Sequence, residues 1–379
     1  MKPIQMVDLQ GQYAQIKEEI DAAVGKVLTE ARYINGLEVQ VFAEDLARYA
    51  GARQAVTCAN GTDALHLALR ALDLRPGDEV ITVPFTFVST IEVIAALGLK
   101  PVLVDVRPDT FNMDVDQLEQ AITPRTKAIL PVHLFGQCAD MERILAIARQ
   151  HNLFVIEDAC QALGAEVTFS DGSVHQAGTM GDIGCTSFFP TKNLGCFGDG
   201  GAALTNSDEL AAAMRSIANH GMSQKYYYEH VGLNSRLDTL QAAVLNVKLP
   251  HLTDYIHARQ RAARLYDETL ADCPGIIPPV RASYTTHTYH QYTLRVAPEH
   301  RDTLRQKLAD AGVPTMIYYP CPLHLQKAYQ HLGYHEGDFP VSETLSKEVL
   351  SLPMHTELTP DQIQYITDQL SVESLKFRV

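Results

Sequence analysis

No stretch of these 379 residues approaches the roughly 18 consecutive apolar residues that a membrane-spanning helix requires. The opening Met1-Lys-Pro-Ile-Gln-Met-Val-Asp-Leu-Gln10, followed by Lys17, Glu18 and Glu19, also lacks the apolar core of a secretory signal. The expectation is therefore a soluble, cytoplasmic protein. Basic residues are few: 31 against 45 acids, a net charge of −14, with no basic block. A surface that tracks nucleic-acid phosphates is not expected, although a local pocket for a small anion is compatible with this balance. The seven cysteines (58, 138, 160, 185, 196, 273 and 321) include no C-x-x-C pair, so neither a zinc ribbon nor a thioredoxin-like site is expected, only free thiols. The 15 histidines contain no H-E-x-x-H, and no metal site is expected. Repeats and low-complexity segments are lacking too.

What is present is an ordinary globular composition, 46% hydrophobic and 20% charged, in a chain long enough for two or three domains. Short β-branched runs at Gln54–Ala59, Glu79–Val83, Pro101–Val106, Ala128–His133, Phe154–Glu157 and Ala202–Thr205 alternate with helical patterns. One such pattern is Thr62–Leu72, with Leu65, Ala68, Leu69 and Leu72 on one face. Apolar strands joined by helices predict an α/β domain whose mostly parallel sheet is covered on both faces. Ile16, Ile20, Val24 and Val27 mark an N-terminal helix, and a long helical pattern runs from Leu237 to about Leu270. Beyond it, a strand at Gln291–Val296 and a helix around Leu304–Ala311 predict a smaller α+β domain. The division expected is 1–250, an N-terminal arm and large α/β domain, and 251–379, a small C-terminal domain.

Three segments carry possible chemistry. Cys58-Ala-Asn-Gly-Thr-Asp63 runs from a strand into a helix whose free N–H groups and dipole make an anion site, with Thr62 adding a hydroxyl. An ordinary capped helix is the alternative. Phe154-Val-Ile-Glu-Asp-Ala-Cys-Gln161 places acids at the carboxyl end of a strand, where α/β proteins bind ligands. Asp158 could hold a cationic ring nitrogen and Gln161 could meet a ring hydroxyl; a helix cap is again the alternative. Thr186-Ser-Phe-Phe-Pro-Thr-Lys-Asn193, followed by Gly195-Cys-Phe-Gly-Asp-Gly-Gly201, sets Lys192 in an apolar, glycine-rich stretch where a desolvated amine attacks carbonyls. Gly198, Gly200 and Ala203 match a loose G-x-G-x-x-A pattern, but a strand follows where a dinucleotide site needs a helix. A phosphate cradle, an acid for a pyridine nitrogen and a lysine for an aldehyde are the set that pyridoxal 5'-phosphate needs.

With Asn234-Ser-Arg-Leu-Asp238, Val7-Asp-Leu9, Tyr33-Ile34, Gly36 and Gly77-Asp-Glu-Val80, these motifs resemble the DegT/StrS family of nucleotide-sugar aminotransferases over essentially the whole chain and in the family's order. The resemblance implies a fold type I transferase with a seven-stranded sheet and pyridoxal 5'-phosphate as cofactor. It implies that Lys192 carries the cofactor and Asp158 holds its ring nitrogen, while Gln161 touches the ring hydroxyl. Gly61, Thr62 and Ser187 would bind the phosphate, Phe87 would stack on the ring, and Asn234 would reach in from the other subunit of a homodimer. Read from the residues alone, Phe87 could equally be core packing.

Within the family, Cys58-Ala-Asn60, Gly136-Gln-Cys-Ala-Asp140 and Cys185-Thr-Ser-Phe-Phe-Pro190 are similar to the enzymes that aminate UDP-2-acetamido-2-deoxy-3-oxo-glucuronate in amino-sugar and surface-polysaccharide biosynthesis. This implies L-glutamate as donor and substrate contacts at Arg236, Tyr318 and Tyr319. Tyr318 departs from the histidine found in relatives, and the Thr168–Met180 stretch with His175 is longer than expected. A dTDP-linked 3-keto or 4-keto deoxyhexose is the alternative substrate. His324 either lines the site or is structural, and Tyr226-Tyr-Tyr228 reads as loop or subunit-contact surface. A related dehydratase would carry histidine in place of Lys192. An amino-acid aminotransferase and a non-catalytic binding or regulatory protein are the other rivals.

Overall fold

The computed structural model describes residues 2–376. Nine strands precede residue 206: β1 (Gln54–Cys58), β2 (Glu79–Thr82), β3 (Lys100–Leu103), β4 (Thr126–Ile129), β5 (Phe154–Asp158), β6 (Glu166–Thr168), β7 (Val174–Gln176), β8 (Ile183–Ser187) and β9 (Gly201–Thr205). Seven of them form one sheet in the order β1-β9-β8-β5-β4-β2-β3. Only β9 runs antiparallel, to both β1 and β8. A parallel return needs a crossover, normally a helix, and residues 188–200 form none, so β9 comes straight back. β2 and β9 are buried at every position, as expected of strands covered on both faces.

The helix Gly61–Ala71 packs Leu65, Leu67, Ala68 and Leu69 into the sheet, while Phe42 and Leu46 of the helix Leu37–Ala50 enter a second cluster with Phe188 and Leu204. Two helices occupy the N-terminal arm, Leu9–Gln15 and Lys17–Glu30, where the sequence pattern reads as one. The long pattern from 237 to 270 is likewise two helices, Thr239–Lys248 and Leu252–Leu270, joined by a tight turn at Leu249–His251. Pro250 lies there, with no N–H to continue the ladder. Ile256 of the second helix joins the large core, whereas Ala263, Tyr266 and Leu270 join a separate C-terminal cluster.

The exposed hairpin β10 (Met222–Gln224) and β11 (Tyr227–Tyr228) follows the large sheet. The last sheet is antiparallel, in the order β12 (Ile276–Ile277), β13 (Tyr292–Val296), β14 (Val349–Leu352). The long 168–180 stretch is the β6–β7 hairpin, sewn to the 284–286 segment by Thr168 N–H to Tyr284 O and Thr286 N–H to Glu166 O, each 2.8 Å. Among the described residues no helix is long and apolar enough to cross a membrane, and no group of three or more metal-ligating side chains occurs. Cys58, Cys138, Cys160, Cys185, Cys196 and Cys321 are free thiols.

Candidate active site

The carboxyl ends of β5 and β8 meet the start of the helix Gly61–Ala71, and a cavity of about 590 Å³ opens between them. Asn60 caps that helix: its Oδ1 accepts from Asp63 N–H at 2.8 Å. This leaves the Gly61 and Thr62 backbone to face the cavity at the positive end of the helix dipole. Asp63 instead accepts from the Ser235 hydroxyl at 2.6 Å. The turn packs tightly. A side chain at Gly201 would meet the Asn60 carbonyl carbon and oxygen at 2.3 Å, and one at Gly61 would meet Ser187 Cβ at 2.7 Å. The Thr62 and Ser89 hydroxyls are 2.6 Å apart, and with Ser187 they ring this pole with small donors.

Asp158, 6% exposed, ends β5 and lines the same cavity. Its Oδ2 accepts from Thr90 Oγ1 at 2.8 Å and its Oδ1 from Cys160 N–H at 3.3 Å. Glu157, one residue earlier, points away and is fully buried. It accepts from Gly178, Met180 and Gly181 N–H at 2.7–2.8 Å and from His133 Nε2 at 2.8 Å. His133 Nδ1 is itself an acceptor, for Ala139 N–H at 3.2 Å, so the imidazole is the Nε2–H form and Glu157 carries the charge. The two adjacent acids thus differ in kind: one anchors the loop before β8 and the other faces the cavity.

Lys192 lines the same cavity. Burial holds its ammonium below the ordinary 10.5, against the opposing pull of Cys160 and Asp158. Its loop is fixed from several sides. Lys192 N–H bonds Phe189 O, Asn193 Nδ2 bonds Thr288 O at 2.9 Å, and the buried Lys248 donates to Gly195 O at 2.6 Å. Gln161 accepts from Phe135 N–H at 2.8 Å and donates to the Tyr319 hydroxyl at 3.2 Å, which leaves its second amide hydrogen for a ligand in the cavity it lines. Phe87 is 53% exposed in the cavity wall, an aromatic face left uncovered by the chain itself.

The cavity gathers Gly61, Thr62, Phe87, Asp158, Gln161, Ser187, Lys192, Tyr318 and Tyr319. It does not gather three other expected residues. His324 is buried outside it, 1% exposed, with Nε2 bonded to Glu343 at 3.1 Å, and is a structural histidine. Asn234 is exposed beside Asn219, and Arg236 lines a separate cleft with Arg32, Asn35 and Arg215. Thr86, Ser89, Thr90, Asp199, His290 and Gln291 were not read from the sequence. Only the hydroxyls at 86, 89 and 90, flanking Phe87, leave a usable signal.

These residues fit pyridoxal phosphate: an anion pole of uncommitted backbone donors, a carboxylate pole, a desolvated lysine and a bare aromatic face share one cavity. The comparisons agree. Residues 14–371 match the model of the DegT/DnrJ/EryC1/StrS aminotransferase family. The chain belongs to that family. A Geobacillus stearothermophilus relative described as a pleiotropic regulatory protein is 48% identical, over 97% of this chain and 98% of its own. The UDP-2-acetamido-2-deoxy-3-oxo-D-glucuronate aminotransferase of Pseudomonas aeruginosa is 46% identical, over 97% and 99%. Among solved structures, S. venezuelae DesV in complex with a ketimine intermediate is 40% identical, with a TM-score of 0.94 and full coverage of both chains. More distant solved relatives are in PMP-bound and PLP forms. The fold is that of a type I pyridoxal-phosphate aminotransferase, and this aminotransferase uses that cofactor.

Proposed function

We propose that this aminotransferase moves an amino group from L-glutamate to the C3 keto group of a UDP-linked sugar of the 2-acetamido-2-deoxy-3-oxo-glucuronate type, in amino-sugar and surface-polysaccharide biosynthesis. The observation that carries the chemistry is the shared cavity of Lys192, Asp158 and the Gly61–Thr62 helix start. The substrate rests on the 46% identity to the Pseudomonas enzyme.

Bound pyridoxal phosphate supplies an aldehyde for amines and a ring that takes up electrons. The chain's residues do the rest. Gly61, Thr62 and Ser187 hold the phosphate, and Phe87 covers one face of the ring. Asp158 keeps the proton on the ring nitrogen, and Gln161 gives its free amide hydrogen to the ring hydroxyl. Lys192, kept ready to lose its proton by burial, would hold the aldehyde, and its Nζ would be the base beside the bound donor, able to take and return a proton there. Asn234 and Arg236, which lie outside their own chain's cavity, serve the site of a second copy in a homodimer. A guanidinium fork there suits a sugar carboxylate or diphosphate, beside Tyr318 and Tyr319.

The test is product analysis by mass spectrometry after offering a panel of keto sugar nucleotides. Amination of the UDP-3-oxo-glucuronate derivative, well ahead of dTDP-linked 3-keto or 4-keto deoxyhexoses, supports the reading; the reverse order sinks it. The regulatory description of the Geobacillus relative favours a second reading, a binding protein on this scaffold. Such a protein would carry out no amino transfer.

A further inference from the structure

His290 stands in the cavity wall without an assignment. It is 6% exposed, and its Nδ1 is sealed from solvent with no hydrogen-bond partner. Its position is held with care. Gly136, at a φ of +107°, lets the chain pass so closely that a side chain there would lie 2.9 and 3.0 Å from the Tyr289 and His290 nitrogens. Thr288 N–H bonds Gly136 O at 2.8 Å, and Gln291 N–H bonds Phe135 O at 3.3 Å. Behind His290 lies Arg259, 2% exposed, whose Nη1 reaches the carbonyls of Tyr289 (3.0 Å), Met354 (2.9 Å) and His290 (3.4 Å). Its Nε is also buried without a partner. Burial and the charges of Lys192 and Arg259 hold the imidazole far below the ordinary 6.5, so it is neutral.

Of the residues lining the cavity, only Lys192 and His290 can be cationic. The anion pole at Gly61 and Thr62 is committed to phosphate, and Lys192 to the aldehyde. Every amino-acid donor nevertheless brings an α-carboxylate next to the carbon that Lys192 must reach. We propose that His290 receives the α-carboxylate of the amino donor, as a neutral N–H donor backed by the Arg259 cation. Nδ1, buried and without a partner, cannot reach a ligand, so the hydrogen that meets the carboxylate is the one on Nε2. The carboxylate then sits in the field of the Arg259 cation without His290 taking up a proton. This rests on the cofactor role of Lys192 given above.

The test uses cofactor-loaded protein and two unreactive probes, L-2-hydroxyglutarate and 4-hydroxybutyrate, which differ by the α-carboxylate alone. Binding is read by calorimetry, without turnover. The native protein should bind the first at least about tenfold more tightly, the usual worth of one charge-assisted hydrogen bond. His290→Phe should reduce the preference below about threefold, and His290→Gln, which keeps an N–H donor, should restore most of it. Should the Phe variant not fold, His290→Asn, whose amide stops short, takes its place with the same expectation. A native preference that survives in the Phe or Asn variant overturns the proposal, as does a native protein indifferent to the α-carboxylate. A protein that takes up no pyridoxal phosphate would instead fault the cofactor reading.

Discussion

Thr90 Oγ1 donates to Asp158 Oδ2 at 2.8 Å, from the first turn of the helix Ser89–Ala96 to the end of the central strand β5. The Thr86 hydroxyl lies 3.1 Å from the same oxygen of Thr90. The bond fixes the plane of a carboxylate that makes no salt bridge among the described residues and lines the ligand cavity. Thr90→Val should lose about 1.5 kcal/mol of that orientation, roughly tenfold in turnover, with cofactor still bound. Asp158→Asn should cost several further powers of ten. Steady-state kinetics check both, and a fully active Thr90→Val would remove the link from the mechanism.

Lys192 should react with aldehydes at unusually low pH. Its amine is held below 10.5 by burial, while Asp158 and Cys160 pull the other way. The protein freed of cofactor should therefore recombine with pyridoxal phosphate at a rate whose pH midpoint lies below 10.5, because the neutral amine is the nucleophile. Removing the negative charge in Asp158→Asn should move the midpoint lower still. A midpoint at or above that of free lysine would contradict the desolvated site. Lys192→Ala should lose about 10²–10⁴-fold in rate or more, since binding site and base vanish together.

The Glu157 cluster sets the stability of the region. Three backbone N–H groups and His133 converge on a fully buried carboxylate. Glu157→Gln turns one accepting oxygen into an NH₂ facing donors. The expected loss is about 1–3 kcal/mol, as for a buried donor left without its acceptor, visible as a fall in the denaturation midpoint. An unchanged midpoint would show that the loop before β8 does not depend on it.

Much of this was legible in the residues, for physical reasons. The buried strands are β-branched and apolar, so β1, β2 and β5 announce themselves within a residue or so. β8 is not among the expected strands, because Ile183-Gly-Cys-Thr-Ser187 lacks a β-branched apolar run. Gly184 is there because its α-carbon packs against Gly178, where a side chain would approach within 2.2 Å, and only the folded structure shows that contact. Lys192, Asp158 and Thr62 sit on local motifs and could be read as a set. Thr90, His290 and Arg259 act on the site from distant segments with no motif of their own. The place of Asn234 and Arg236 is the converse case: a strong motif that the single chain leaves outside its own cavity.

Asn60 is the test of the anion pole. Its Oδ1 caps the helix whose first N–H groups face the cavity. Asn60→Ala should cost about 1 kcal/mol of stability and raise the concentration of pyridoxal phosphate needed for saturation. Stability loss with unchanged cofactor affinity would mean that the helix start is structural only.

The most direct test of the central claim is the visible absorption of the purified protein, recorded with pyridoxal phosphate and again after adding L-glutamate. The account predicts a yellow protein whose band bleaches with the donor and returns with a keto sugar nucleotide, none of which occurs in Lys192→Ala. A protein that stays colourless with the cofactor, or a yellow one that glutamate leaves unchanged, would contradict it.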